Sequence, residues 1–260
     1  MNPLQRALIE KAGNDHGFEY VLPGDDDAVN LASARHRAQV RITTSNGQFV
    51  LSFTSPAVAP LNAELARSFP AFMRAGQDFL ASNQDALARL LRRAAELAHA
   101  LPNQAAQDFE TTLKQALEQL PAELKNTEVE RLVRQRVGQQ AFRSAMLDYW
   151  GGACAVTGIA VPAVLRASHA KPWAECASDA QRLDVYNGFL LSANLDALFD
   201  RFLISFDEQG VLVIAPALSG LELRPLGIVP GMKLRWVDAL HQPYLALHRA
   251  RLQQSSPGAG

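Results

Sequence analysis

The spacing of apolar residues changes period along this chain, and that change limits the fold more than any single residue does. Gln39-Val40-Arg41-Ile42-Thr43-Thr44 and Gln48-Phe49-Val50-Leu51-Ser52-Phe53 alternate apolar with polar, the period of a half-buried strand. Ser45-Asn46-Gly47 lies between them, and Asn-Gly between alternating runs predicts a tight hairpin. From Leu61 to Leu120 the spacing becomes helical and the composition turns to Ala, Leu, Gln and Arg. Gln84 to Leu101 and Gln104 to Leu120 are predicted helices, stopped by Pro102 and Pro121. After Gly151-Gly152 the pattern returns to short strands and turns. Two periods in separate stretches predict an α+β protein: a small α+β unit over residues 1–58, a helical spacer or accessory region over 59–125, a strand-and-helix domain over 126–225, and an extension over 226–260.

Local signals fill in this frame. Pro3 to Lys11 reads as a helix, and Gly24-Asp25-Asp26-Asp27 as a solvated acidic turn rather than a metal site. Thr127 with Glu130 is a capping-box signature and opens a helix to about Trp150. Its Arg131, Arg134, Arg136 and Arg143 form either a DNA-facing stripe or a solubilising outer face. Ala163 to Ala170 and Gly188 to Ser192 read as strands, and Asn194 to Arg201 as a short helix. Phe202–Phe206 with Val211–Ile214 reads as a hairpin, and Pro243 to Gln253 as the last helix. The Ser255–Gly260 tail is expected to fray.

Bulk properties exclude several classes. A 260-residue chain with 48% hydrophobic and 20% charged residues is ordinary for a globular protein of one or two domains. No apolar run approaches the ~20 residues that cross a bilayer, so no membrane partner is expected. No secretion signal is read at the N-terminus, which predicts a cytoplasmic protein. Two cysteines, Cys154 and Cys176, cannot build a disulfide framework or a four-cysteine zinc site. A net charge of −1 argues against coating nucleic acid through bulk charge, so a DNA contact must be a local basic patch.

The chemistry-bearing residues concentrate between His169 and Asp200. His169 closes a predicted strand, Asn187 opens the next, and Asp196 and Asp200 share one face of the following helix at i, i+4 spacing. Two carboxylates suit a hard cation such as Mg²⁺ or Mn²⁺. An imidazole with an ordinary pKa near 6.5 can accept a proton from water. An amide can brace the loop that aims it. Each residue taken singly has a structural explanation; ordered together, they describe a metal-assisted phosphodiesterase.

Cys154-Ala155-Val156-Thr157-Gly158, Ala167-Ser168-His169-Ala170-Lys171-Pro172-Trp173, Arg182-Leu183-Asp184, Asn187-Gly188 and Leu195-Asp196-Ala197-Leu198-Phe199-Asp200-Arg201 resemble the HNH endonuclease family, in the branch of bacterial restriction endonucleases. The resemblance covers roughly Thr127 to Ala217, and Tyr244-Leu245-Ala246-Leu247-His248-Arg249 is similar to the usual tail. It implies a ββα-metal nuclease domain over 126–225 that cleaves DNA with one divalent cation per site, Mg²⁺ or Mn²⁺ first and Ni²⁺ after them. It implies His169 as general base, Asn187 as the loop-orienting residue, and Asp196 and Asp200 as metal ligands. Ser168 stands where many members carry a metal-binding Asp, which leaves the third ligand open. Thr157 replaces the second cysteine of the usual first pair, so no structural zinc is expected. Lys171, Arg182 and Arg201 are candidate phosphate contacts; Trp173 is expected to be packed rather than stacked on a base.

The leading expectation is therefore a DNA endonuclease of restriction or phage defence, with a homodimer as one route to double-strand cutting. The alternatives are an antibacterial nuclease toxin and a catalytically inactive DNA-binding module.

Overall fold

The computed structural model describes residues 1–74, 76–102, 104–121, 126–218 and 223–252. The chain divides into two compact units, residues 1–104 and 105–260. The helical stretch expected over 59–125 is thus divided between them. The expected frayed tail lies outside the described residues.

In the first unit, helix α1 (Pro3–Asp15) starts on Asn2, whose side chain accepts from Gln5 N while the Gln5 side chain accepts from Asn2 N. It runs one turn past the expected end. Strands β1 (Tyr20–Leu22), β2 (Ala28–Ala32), β3 (Gln39–Ser45), β4 (Gln48–Thr54) and β5 (Phe79–Ala81) form one antiparallel sheet in sequence order. The predicted hairpin is β3–β4, and Asn46 and Gly47 both take left-handed angles, φ 51° and 78°, as its two-residue turn requires.

Alternation sends Val40, Ile42, Leu51 and Phe53 inward. Helices α2 (Val58–Ser68) and α3 (Gln84–Ala100) add Leu61, Leu65, Leu87, Leu90, Leu91 and Leu97 to the core. The acidic turn is exposed and ion-paired: Asp25 takes both arms of Arg41 at 3.0 Å, which lowers its carboxyl to about 2.

Helix α4 (Gln104–Glu118) precedes the second unit's long helix α5 (Thr127–Tyr149). The N-cap of α5 is Asn126, one residue before the expected Thr127: its side-chain oxygen accepts from Glu128 N and Val129 N. The first half of α5 buries nothing. Its second half buries Gly138, Phe142, Ala145, Met146 and Tyr149, at helical spacing.

Strands β6 (Leu165–His169) and β7 (Gly188–Ser192) pair antiparallel, and helix α7 (Ala193–Phe199) follows at once; between the strands, the loop carries the short helix α6 (Asp179–Arg182). A second hairpin, β8 (Ile204–Phe206) with β9 (Leu212–Ile214), and a last helix α8 (Gln242–Leu252) complete the unit. The segment after residue 226 belongs to this core. Trp236 stacks on Trp150 at 4.3 Å, Arg235 N donates to Ala155 O at 2.7 Å, and the Arg235 guanidinium donates to Trp150 O and Ala153 O.

Candidate active site

An open cleft of about 540 Å³ is lined by Gln139, Phe142 and Arg143 of α5, Arg166, Ala167 and His169 of β6, Pro172, Trp173, Asp196, Asp200 and Phe202. Three of the four expected central residues, His169, Asp196 and Asp200, therefore share one cavity. Asn187 is fully buried behind them.

Register explains how the hairpin delivers His169. It pairs with Gly188, and a Cβ at Gly188 would lie 2.4 Å from Ser168 O and 2.7 Å from the Phe142 ring. Only glycine permits that approach. The His169 ring stacks on Phe142 at 3.7 Å and meets Trp173 edge-on at 5.7 Å. Its Nε2 lies 2.8 Å from the carbonyl of Arg182. A carbonyl only accepts, so Nε2 carries the proton and the neutral ring keeps its lone pair on Nδ1. Burial lowers the imidazolium pKa to about 4, with a smaller opposing effect from the Arg182 carbonyl, so the ring is neutral at pH 7.

Asn187 staples the loop between the strands. Its Oδ1 accepts from Lys171 N at 2.8 Å, and its Nδ2 donates to Gln181 O at 3.1 Å and Lys171 O at 3.3 Å. The same nitrogen lies 3.4 Å from the Cys176 thiol. The 170–187 loop is thus closed at its base by one amide, which holds Lys171, two residues after His169.

The carboxylates come from α7, which starts directly at the end of β7. Ser168 Oγ donates to Asp196 Oδ1 at 2.6 Å, so this serine, at the position where a third ligand was in question, holds a carboxylate. Asp200 is pushed up to about 6, first by burial and then by the Asp196 charge, with Arg201 opposing. A carboxylate whose proton affinity is raised by a second carboxylate beside it marks a place where a cation relieves repulsion, and hard oxygen donors fit Mg²⁺ or Mn²⁺. Among the described residues, no group of three or more His, Cys, Asp or Glu side chains is placed to hold a metal ion. A cation here would keep water or phosphate oxygens for its remaining positions.

The three basic residues read as phosphate contacts are used differently. Arg182 donates to the carbonyls of Trp173 at 3.2 Å and Cys176 at 2.7 Å and pairs with Asp179 at 3.0 Å, which commits its guanidinium to the loop. Lys171 Nζ donates to Gln181 Oε1 at 3.0 Å. Arg201 is exposed and donates to Ala197 O. None of the three lines the cleft, whereas Arg166 and Arg143 do. Arg143 donates to Leu165 O at 2.7 Å and Pro162 O at 2.9 Å, which fixes α5 to the start of β6. Nothing in the local sequence separates Arg166 from a surface arginine; its place on the cleft follows from the hairpin.

Trp173 is packed, its ring so close over α5 that a Cβ at Gly138 would fall 2.2 Å from it. Both thiols are buried and free. In the Cys154 turn, Thr157 N lies 3.4 Å from the sulfur and Gly158 N donates to Cys154 O at 3.0 Å.

A two-stranded hairpin leading into a helix, with an imidazole and two carboxylates on a shared cleft, is the ββα arrangement that the resemblance to the HNH family implies. Residues 154–207 match the HNH endonuclease family, and the second unit therefore carries an HNH endonuclease domain. No curated protein matches the chain. Among the described residues, no helix is long and apolar enough to cross a membrane.

Proposed function

We propose that this chain hydrolyses DNA phosphodiester bonds with the help of a divalent cation, His169 acting as general base. The observation that carries the reading is the 2.8 Å contact between His169 Nε2 and the Arg182 carbonyl, from which the tautomer follows. The Arg182 carbonyl claims the Nε2 proton, so Nδ1 is the atom able to take a proton from an attacking water, in a cleft that also holds Asp196 and Asp200. A phosphodiester anion beside the ring favours the imidazolium, so substrate binding raises the proton affinity that burial has lowered. Asn187 keeps the loop, and hence the ring, in register. Asp196, oriented by Ser168, and Asp200 would hold the cation. When bound, Mg²⁺ or Mn²⁺ supplies Lewis-acid neutralisation of the phosphate and of the departing 3′-oxygen. Arg166 and Arg143 offer positive charge on the cleft wall. Restriction or phage defence is the setting we propose for such an activity.

The test is incubation of the full chain with supercoiled plasmid, modified and unmodified, in Mg²⁺, Mn²⁺ or Ni²⁺, beside EDTA and His169→Ala controls. The expected result is nicking or linearisation that EDTA abolishes and that His169→Ala lowers by roughly 10²- to 10⁴-fold. A wild-type chain that binds DNA and cuts neither plasmid with any of these cations would overturn the proposal in favour of a DNA-binding module.

A further inference from the structure

Helix α8 lies outside the matched residues 154–207, and none of its side chains lines the cleft. It nevertheless presents Tyr244, His248 and Arg251 at i, i+4 and i+7, one face of a helix, and each is bonded to a different segment of the site. Tyr244 Oη donates to Asp184 Oδ2 at 2.9 Å. The other oxygen of Asp184 accepts from Tyr186 N at 2.9 Å, and the Asp184 carbonyl accepts from Asn187 N at 2.9 Å. Tyr244 therefore anchors residues 182–187, the segment that offers its Arg182 carbonyl to His169 and carries Asn187.

One turn later, His248 is 1% exposed and bonded on both nitrogens. Nε2–H donates to the carbonyl of Phe199 at 3.0 Å, which requires that Nδ1 accept from Ser205 Oγ–H at 3.0 Å. Its ring stacks on Phe199 at 3.8 Å and 9°. Phe199 is the last residue of α7, between Asp196 and Asp200, so His248 fixes the C-terminal end of the helix that carries Asp196 and is capped by Asp200. Arg251 reaches Glu175 at 2.8 Å on the loop beside Trp173, and lies over the ring of Phe202, a cleft residue, at 5.2 Å. A helix that served only to cover a core would do so with apolar side chains at 244 and 248. Directional bonds at those positions specify geometry rather than maximise stability.

We propose that α8 is a brace for the site: Tyr244 and His248, one helical turn apart, hold the loop that orients His169 and the helix that bears Asp196 and is capped by Asp200 at a fixed separation. Both are positioning residues for the reaction. The inference rests on the nuclease reading above, and it assigns to the tail motif a role in aligning the two halves of that reading's chemistry. Ser168 joins the same two halves directly, through Asp196; α8 ties them from the opposite end.

The experiment compares the full-length wild type with Tyr244→Phe, His248→Leu and His248→Gln. Mn²⁺ binding is measured calorimetrically without DNA, DNA binding by fluorescence anisotropy in EDTA, and plasmid cleavage as kcat and KM. Tyr244→Phe removes one hydrogen bond and no volume. It is expected to lower kcat roughly 10- to 100-fold, the cost of a small misalignment, with Mn²⁺ affinity and DNA affinity unchanged. His248→Leu is expected to weaken Mn²⁺ binding roughly 10- to 100-fold, as loss of a group supporting metal ligands does. His248→Gln restores most of it, because an amide can both donate to Phe199 O and accept from Ser205. Variants that match an active wild type in metal affinity and kcat overturn the brace alone. So does a common loss of metal binding, DNA binding and melting temperature in Tyr244→Phe and His248→Leu, which is the signature of general unfolding. A wild type that neither binds Mn²⁺ nor cuts DNA overturns the nuclease reading and the brace with it.

Discussion

The two units of this protein bury polar side chains in different ways. In residues 1–104 the sheet and its helices bury His36, Asn62 and Glu64 among an otherwise apolar core. In the second unit Ser168, Asn187, Ser192, Ser205, His241 and His248 are all buried, and Ser168, Asn187, Ser205 and His248 hydrogen-bond to the segments that carry the site. A five-stranded sheet is specified by alternation and cross-strand pairing, so its interior can be largely hydrocarbon. A two-stranded hairpin with a seven-residue helix has too little surface to fix itself that way, and hydrogen bonds to buried groups supply the missing constraint. The first unit is built for packing and the second for aim.

The sharpest way to break this contrast is Asn187→Asp, which keeps the shape but points a carboxylate at the Lys171 and Gln181 carbonyls. A destabilisation of about 3–5 kcal/mol is expected, the cost of an uncompensated buried charge. All three tryptophans, Trp150, Trp173 and Trp236, lie in the second unit, so thermal unfolding followed by tryptophan fluorescence reads it directly. A loss below about 1 kcal/mol would mean that the amide is not the staple its bonds describe.

Next in size, Leu90→Ala hollows the first unit's core at a fully buried position and should cost about 3 kcal/mol. Hydrogen exchange in β2–β4 is expected to speed up while the tryptophan transition stays in place. A matching fall in both would show that the two units unfold as one.

The smallest effect concerns acid. Burial, then the neighbouring His99, lowers His36 to about 4 in the folded first unit. Unfolded, its pKa is near 6.5, so the unfolded chain takes up the proton first. The contribution is complete above about pH 6.5 and lost as the pH falls towards 4, by at most about 3 kcal/mol. His248 in the second unit is lowered to about 4 in the same direction, so comparing wild type with His36→Leu isolates the first unit. Hydrogen exchange in β2–β4 at pH 7 and pH 4.5 should show a steeper loss of protection in the wild type. Equal slopes would place the acid sensitivity elsewhere.

Much of this was legible beforehand where local pattern and final structure agree. The β3–β4 hairpin followed from alternation around Asn46-Gly47, and α3 followed from helical spacing up to Pro102. Strands β1, β2 and β5 were not anticipated. β1 and β5 are three residues long, and a segment that short is a strand only because a neighbour pairs with it. β5 also lies inside a stretch whose composition is helical. In the site, the order His169, Asn187, Asp196, Asp200 was readable, including the i, i+4 carboxylates. The bonds among them were not.

By itself, the sequence determined the α+β class, the main helices, the hairpin turn and the residue types from which an HNH domain is made, because each depends on neighbours a few positions apart. Tertiary structure alone decided which charged groups face the cleft. Arg182 donates to the carbonyls of its own loop away from the cavity, while Arg166 and Arg143, which also donate to backbone carbonyls, line the cavity wall. It also brought α8 beneath both halves of the site, where Tyr244 meets Asp184 across 60 positions and His248 meets Phe199 across 49. Contacts at such separation follow from how whole elements pack, and no local period in a sequence encodes them.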